Sequence, residues 1–359
     1  MSKIKSKAHR LTAPGKFETV ELNHQFNPGD VVVQPILASI CHADLRYYTG
    51  SRKKEVLDKK LPMALFHEGL GELVLDGDRG LRMKENVIIV PNIAKGFQEI
   101  ENKNTQDQKK IKKEDNYSPE SLFLGSGVDG IGQSHLVLPK ENVVPIPKDI
   151  PDEIAVLAEL NSVSLHAISH INGDLSKKKI AVFGDGPVGF LTAAILRHIY
   201  KIPRSHLIVF GADQEKLVQF DFATTYMVQE YDFKKPSDVE IILECTGGNF
   251  SESAIDQAIE FIQPKGEIVL LGVTENKVPI NTRDVLEKGL TIYGSSRSTI
   301  KEFKELMKYF KDPDYQNTLR KILPDQNVII KNSMDLKNVM DKVVENKGWK
   351  KTILTFKWE

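Results

Sequence analysis

Cysteine is nearly absent from this chain: Cys41 and Cys245 are the two in 359 residues. Two thiols about two hundred positions apart make no disulfide scaffold and point to a reducing compartment. An excess of one charge is lacking too. Lys plus Arg equals Asp plus Glu, 49 each, so the basic surplus expected for a nucleic-acid or membrane-surface partner is missing. Long apolar runs are also wanting. The most apolar helical stretch, VGFLTAAILRHIY at 188–200, is too short to span a bilayer and carries Arg and His. The basic start, MSKIKSKAHRL, is not followed by the apolar segment of a secretory signal. The expectation is a cytoplasmic protein with no nucleic-acid and no membrane partner, long enough for two domains.

What is present changes texture along the chain. Up to about residue 150, short β-branched runs alternate with Gly, Pro, Asn and Asp: DVVVQPILASI, LGELVLDG, ENVIIVP and SHLVLPKENVVPIP. Between them, the polar, Lys-rich stretch 95–120 reads as an exposed excursion rather than a nucleic-acid arm, because its charges are mixed. From about 153, apolar runs alternate with helical patterns: KKIAVFG, HLIVFG, TYMVQ, VEIILECTG, EIVLLGV and LTIYGSS. Six strands with crossovers imply an α/β doubly wound parallel sheet. An amphipathic helix, IKEFKELMKYF, and a terminal strand, KTILTFKW, follow. The division expected is a β-rich domain from 1–152 and 298–359 around a Rossmann dinucleotide-binding domain at 153–297.

Within the second domain, VFGDGPVGF sets Gly184, Gly186 and Gly189 between a strand and a helix. The first glycine permits the tight turn, the second lets backbone approach a pyrophosphate, and the third lets helix and strand pack. In NAD-binding folds an acid near the end of the next strand receives the ribose hydroxyls. Here that position is Gly211, so the missing carboxylate favours NADP; Asp213 could swing in, and Lys216 could pair with a phosphate. Cys245, on a central strand, reads as packed apolar surface. Thr246 and Gly247, at that strand's carboxyl end, are placed to line the cofactor site.

Outside this unit, ALFHEGLGE puts His67 and Glu68 side by side, 26 positions after Cys41, and Glu159 sits in LAELNSVSLHA. Thiolate, imidazole and carboxylate suit zinc. Spacing alone does not decide it, since an adjacent His-Glu pair is usually a surface feature and a lone Cys is usually core.

The motifs CHAD, HEG, ELNSVSLHA, GDGPVG, LECTGG, LLGV and GSSRS stand in the order seen in the zinc-dependent medium-chain dehydrogenases, which the chain resembles over almost its whole length. Within them, RYYTGSR, LPMALFHEG and LEKGLTIYGSSRS resemble the bacterial ribulose-5-phosphate reductases, which supply ribitol phosphate for CDP-ribitol and thus for teichoic acid or capsule. The resemblance implies a GroES-like β-rich catalytic domain beside the Rossmann domain. It implies one catalytic zinc among Cys41, His67, Glu68 and Glu159, leaving open which carboxylate binds directly. Asp44 would orient the His67 ring, and His42 would lie near the cofactor pyrophosphate. Pro187, Val188, Gly272 and Val273 join the glycines at the NADP site. A homodimer is implied, and a ribitol-5-phosphate cytidylyltransferase is a candidate partner.

Two departures from the family pattern stand out. The lobe that often carries a structural zinc, roughly 92–120 here, has no cysteine, so no structural zinc is expected. Ala43 occupies a position where a Ser or Thr usually relays a proton. Delivery then falls to a water on the metal, a substrate hydroxyl, Glu159 or Tyr47. The implied reaction is reduction of a phosphorylated pentulose to a pentitol, with Arg46, Tyr47, Arg52 and Lys53 as candidate phosphate receptors or, alternatively, an ordinary solvated loop. Another zinc polyol or polyol-phosphate dehydrogenase is the nearest alternative function. A non-catalytic dinucleotide-binding protein is the distant one.

Overall fold

A computed structural model describes residues 2–78, 84–94, 116–346 and 348–358. The Lys-rich stretch therefore lies outside the described residues from 95 to 115. The chain forms two compact units.

The first comprises 1–159, 297–308 and 324–359. Its seven-stranded sheet is centred on Asp30–Ser39, which pairs antiparallel with Glu68–Asp76, with Leu136–Pro139 and with the terminal strand Ile353–Phe356. The β-branched run DVVVQPILASI forms this strand and is buried without a break from Val31 to Val33; Val31, Val33 and Ala38 join a core that also takes Val87, Ile89, Leu136 and Leu354. A long hairpin, Ser2–Ala13 with Lys16–Phe26, lies outside the strands read from sequence. Its signal was there, in the alternation K-I-K-S-K-A-H-R-L before a Pro-Gly turn. The polar residues of the outer face obscured it.

The second unit comprises 160–296 and 309–323. Its six parallel strands run in the order Thr224–Met227, Leu207–Gly211, Ile180–Phe183, Ile241–Glu244, Glu267–Leu270, Thr291–Gly294. The chain thus starts in the middle and reverses direction between the third and fourth strands, the doubly wound arrangement that places ligands at the strands' carboxyl ends. The central strand is buried at all four residues, which explains its unbroken apolar run.

The expected division had assigned 309–323 to the first unit. Those residues group instead with the second, because Tyr315 donates to Asn161 at 2.6 Å and stacks on His198, while His198 Nε2 bonds Thr318 Oγ1 at 2.8 Å. The helix read as IKEFKELMKYF spans Ile300–Tyr309. Among the described residues, no helix is long and apolar enough to cross a membrane.

Candidate active site

Strand register brings the distant site residues together. Ser39, the last residue of its strand, lies opposite Glu68 on one side and Ile353 on the other. Cys41 follows two residues later, His67 precedes Glu68, and Lys351 precedes Ile353. All four therefore collect at one end of the sheet. The thiol of Cys41, a ring nitrogen of His67 and a carboxylate oxygen of Glu68 lie within 4.8 Å of one another.

Asp44 holds this arrangement from behind. It is fully buried in the first turn of the helix His42–Tyr48, where its Oδ2 accepts from the backbone N–H of Cys41 at 2.9 Å. Its Oδ1 accepts from Phe66 N–H at 3.1 Å and lies 3.8 Å from His67 Nδ1. One carboxylate thus ties the backbone at Cys41 to the segment that carries His67. Phe66 itself has φ 75°, a strained value for a bulky residue that costs about 1–3 kcal/mol. The surroundings enforce it: Ile131 N–H donates to Phe66 O at 2.9 Å, and Gly125 packs so closely that a Cβ there would lie 2.9 Å from the same oxygen.

The electrostatics are those of a site built around charge. Burial disfavours the His67 cation, but Asp44 and the Cys41 sulfur beside it outweigh that and hold its pKa well above the usual value. Burial also raises Cys41, with Glu68 adding to the effect. Burial pushes Glu159 up to about 7, against the pull of His67 and with the help of Glu68. Glu159, at the start of the helix Ala158–Ser169, is buried within the field of His67 and Glu68 but outside the close trio. Lys351, not singled out from sequence, is buried, donates to Ile40 O at 2.8 Å and lies 2.8 Å from Glu68 Oε2. Nothing in its local sequence, GWKKTILTF, marks it; only the strand register does.

The donor set fits zinc. Thiolate, imidazole and carboxylate are its customary ligands. His67 Nδ1 is buried without a hydrogen bond and faces Asp44, the arrangement that leaves the other ring nitrogen for a metal. Binding a metal there would require the thiol and the ligating ring nitrogen to be free of protons.

Phe123 packs its ring 5.3 Å from that of His67, and Arg297 lies over Phe123 at 5.1 Å. His42 is exposed at the helix start. Tyr47 is buried, Arg46 and Arg52 are half-buried, and Lys53 is exposed. Ala43 offers no hydroxyl.

The glycine-rich turn of the second unit has its expected form. Gly184 takes φ 125°, Gly186 caps the helix Pro187–His198, and Pro187 opens it where no N–H partner is needed. Val188 lies in the first helical turn, and a Cβ on Gly189 would run into Gly184 O. Glu244, missed from sequence, is fully buried and accepts from the N–H groups of Thr246 at 2.8 Å and Gly272 at 3.2 Å. It joins two loops at the sheet's carboxyl end. Thr246 donates its hydroxyl to Phe183 O at 3.3 Å, while Val273 is exposed. Cys245 is buried, as read.

At Gly211 the structure adds a group that the sequence reading did not single out. Asp185, from the glycine turn, projects its carboxylate to this strand end, accepting from Ala212 N–H at 2.7 Å and Asp213 N–H at 2.9 Å. A Cβ on Gly211 would lie 2.8 Å from Asp185 Oδ2, so the glycine makes room for that carboxylate. Asp213 caps the next short helix and lies 3.5 Å from Lys216.

Residues 27–148 match the alcohol dehydrogenase GroES-like domain, and residues 212–312 match the zinc-binding dehydrogenase domain. The chain is 38% identical over 358 residues to ribulose-5-phosphate reductase 1 of Staphylococcus aureus, covering 98% of this chain and 99% of that protein. It is 37% identical to the ribulose-5-phosphate reductase of Bacillus spizizenii over 88% of this chain and 89% of that one. Among solved structures, S. aureus TarJ in complex with NADPH superposes with a TM-score of 0.82 at 34% identity, covering 99% of this chain and 100% of that chain. L-idonate 5-dehydrogenase of Escherichia coli shares the fold, with a TM-score of 0.81 at 19% identity over 99% of both chains.

Proposed function

Because the chain belongs to the zinc-binding dehydrogenase family, among its ribulose-5-phosphate reductases, we propose that it reduces D-ribulose 5-phosphate to D-ribitol 5-phosphate with NADPH. The observation that carries this reading is the close Cys41–His67–Glu68 trio in a chain so similar to those reductases over 98% of its length.

When bound, zinc polarises the ketone and NADPH supplies the hydride that becomes the new C–H bond at C2. Cys41, His67 and Glu68, with Glu159 beside them, would hold the metal. Asp44 fixes the orientation of the His67 ring. Lys351 keeps Glu68 ionised: burial alone would raise its pKa, and the ammonium reverses this. The proton that completes the alcohol cannot come from position 43, an alanine.

In the second unit, Gly184, Gly186 and Gly189 shape the turn for the pyrophosphate, and the N-terminus of the helix Pro187–His198 favours its charge. Pro187, Val188, Gly211, Thr246, Gly272 and Val273 complete the proposed cofactor surface of this unit.

The product would feed CDP-ribitol synthesis in the cytoplasm for teichoic acid or capsule, with a cytidylyltransferase as the next enzyme. A homodimer is supported by the open edge of Thr291–Gly294 and the exposed Leu286 and Ile280 near it in sequence.

The test is turnover of ribulose 5-phosphate with NADPH and with NADH, before and after Cys41→Ala. Loss of activity in the variant is expected. Full activity there would overturn the zinc assignment, and no turnover by the wild-type protein would overturn the substrate.

A further inference from the structure

The strands and helices around Tyr47 gather cations that the metal site does not use. Tyr47 is 1% exposed, near the end of the helix that starts just after Cys41. The Arg52 guanidinium lies 5.0 Å from the centre of its ring, and the Lys60 ammonium 5.7 Å. Lys60 Nζ donates to Tyr47 Oη at 3.0 Å, to Ser126 Oγ at 3.1 Å and to Ser126 O at 3.3 Å. The two hydroxyls, of Tyr47 and Ser126, are 3.1 Å apart.

Among the described residues, every hydrogen-bond partner of Lys60 is a neutral oxygen. Lys178, Lys321 and Lys351 are met by carboxylates, of Glu240, Asp221 and Glu68, while Lys288 donates to the backbone carbonyls of Ile259, Glu260 and Ile262. Guanidinium, ammonium and two hydroxyls form a donor set suited to a phosphate.

The cluster also stands in a definite relation to the trio. Tyr47 follows Cys41 by six residues, about 9 Å along a helix. Ser126 follows by three the Phe123 whose ring packs on His67.

We propose that Lys60 and Arg52, gathered on Tyr47 with Ser126, are the receptor for the substrate's terminal phosphate. The proposal rests on the reading of the trio as the site that takes the substrate carbonyl. A pentulose 5-phosphate presents its carbonyl and its phosphate at opposite ends of the carbon chain, and the trio and this cluster receive one end each. It also revises the receptor expected from the sequence. Lys53 is exposed at the start of the helix Lys54–Lys60, whereas Lys60, at its end, turns toward Tyr47. Arg46 is the immediate helical neighbour of Tyr47, and adjacent positions do not share a face.

The experiment compares wild type, Lys60→Met and Lys60→Arg on ribulose 5-phosphate and on unphosphorylated ribulose, with binding of inorganic phosphate measured by calorimetry. In Lys60→Met, the kcat/KM ratio of ribulose 5-phosphate over ribulose should fall about 10- to 100-fold, chiefly through KM. Phosphate binding should weaken in parallel, and Lys60→Arg should recover most of both. An unchanged ratio, or equal losses on the two substrates, would overturn the receptor while leaving the reductase reading intact. If wild type reduces neither sugar, that reading fails, and phosphate binding that weakens in Lys60→Met or does not still decides the receptor.

Discussion

Lys351 Nζ lies 3.1 Å from Glu68 Oε1 and 2.8 Å from Oε2, with both side chains buried. The pair neutralises a carboxylate that stands within reach of Cys41 and His67. Removing one partner of such a pair strands the other charge, at a cost of about 3–5 kcal/mol. Lys351→Met is therefore expected to lower stability by that amount in urea unfolding, and the double variant with Glu68→Gln to recover much of it. A loss within the roughly 0.5 kcal/mol typical of surface changes would contradict the pairing.

Asp44 should matter to the metal without touching it. Asp44→Ala is expected to weaken zinc binding about 10- to 100-fold in competition with a chelator. Cys41→Ala should leave protein that purifies without zinc, as read by elemental analysis. Zinc retained at full stoichiometry in Cys41→Ala would remove the thiol from the ligand set.

Asp185 places a carboxylate at the strand end where a 2′-phosphate would come, and it occupies two N–H donors there. Asp185→Ser frees both donors and removes the like charge. The affinity ratio of NADPH over NADH, measured by fluorescence titration, should rise about tenfold, equivalent to roughly 1.4 kcal/mol. An unchanged ratio would show that Asp185 only ties the loop.

His9 gives a pH dependence of folding. Its ring is buried, stacks on Trp358 at 4.7 Å and bonds Thr19 Oγ1 at 2.9 Å. Burial lowers its pKa from 6.5 to about 4, with Asp335 opposing. Between these values the unfolded chain binds more protons than the folded one, so stability falls as pH drops from 6.5 toward 4. No further loss comes from this group below 4. In His9→Gln the stability difference between pH 7 and pH 5 should shrink. An undiminished difference would assign the effect to other groups.

The second unit was largely legible because its signals are local. Strands buried on both faces read as unbroken apolar runs, and the turn Gly184–Gly189 is dictated by steric demands within six residues. The trio's members were legible as residue types, helped by the family's motif order, but not as a geometry. The N-terminal hairpin escaped because half of its alternation is polar.

Sequence by itself determined the two kinds of layer, the glycine turn and the stock of metal-binding side chains, since each depends on neighbours along the chain. Tertiary structure alone decided that Lys351 meets Glu68, that Lys60 rather than Lys53 reaches Tyr47, and that Asp185 fills the strand end at Gly211. Those contacts join segments 13 to 283 residues apart. Strand register and helix rotation set them, and neither is written in the composition of any one segment.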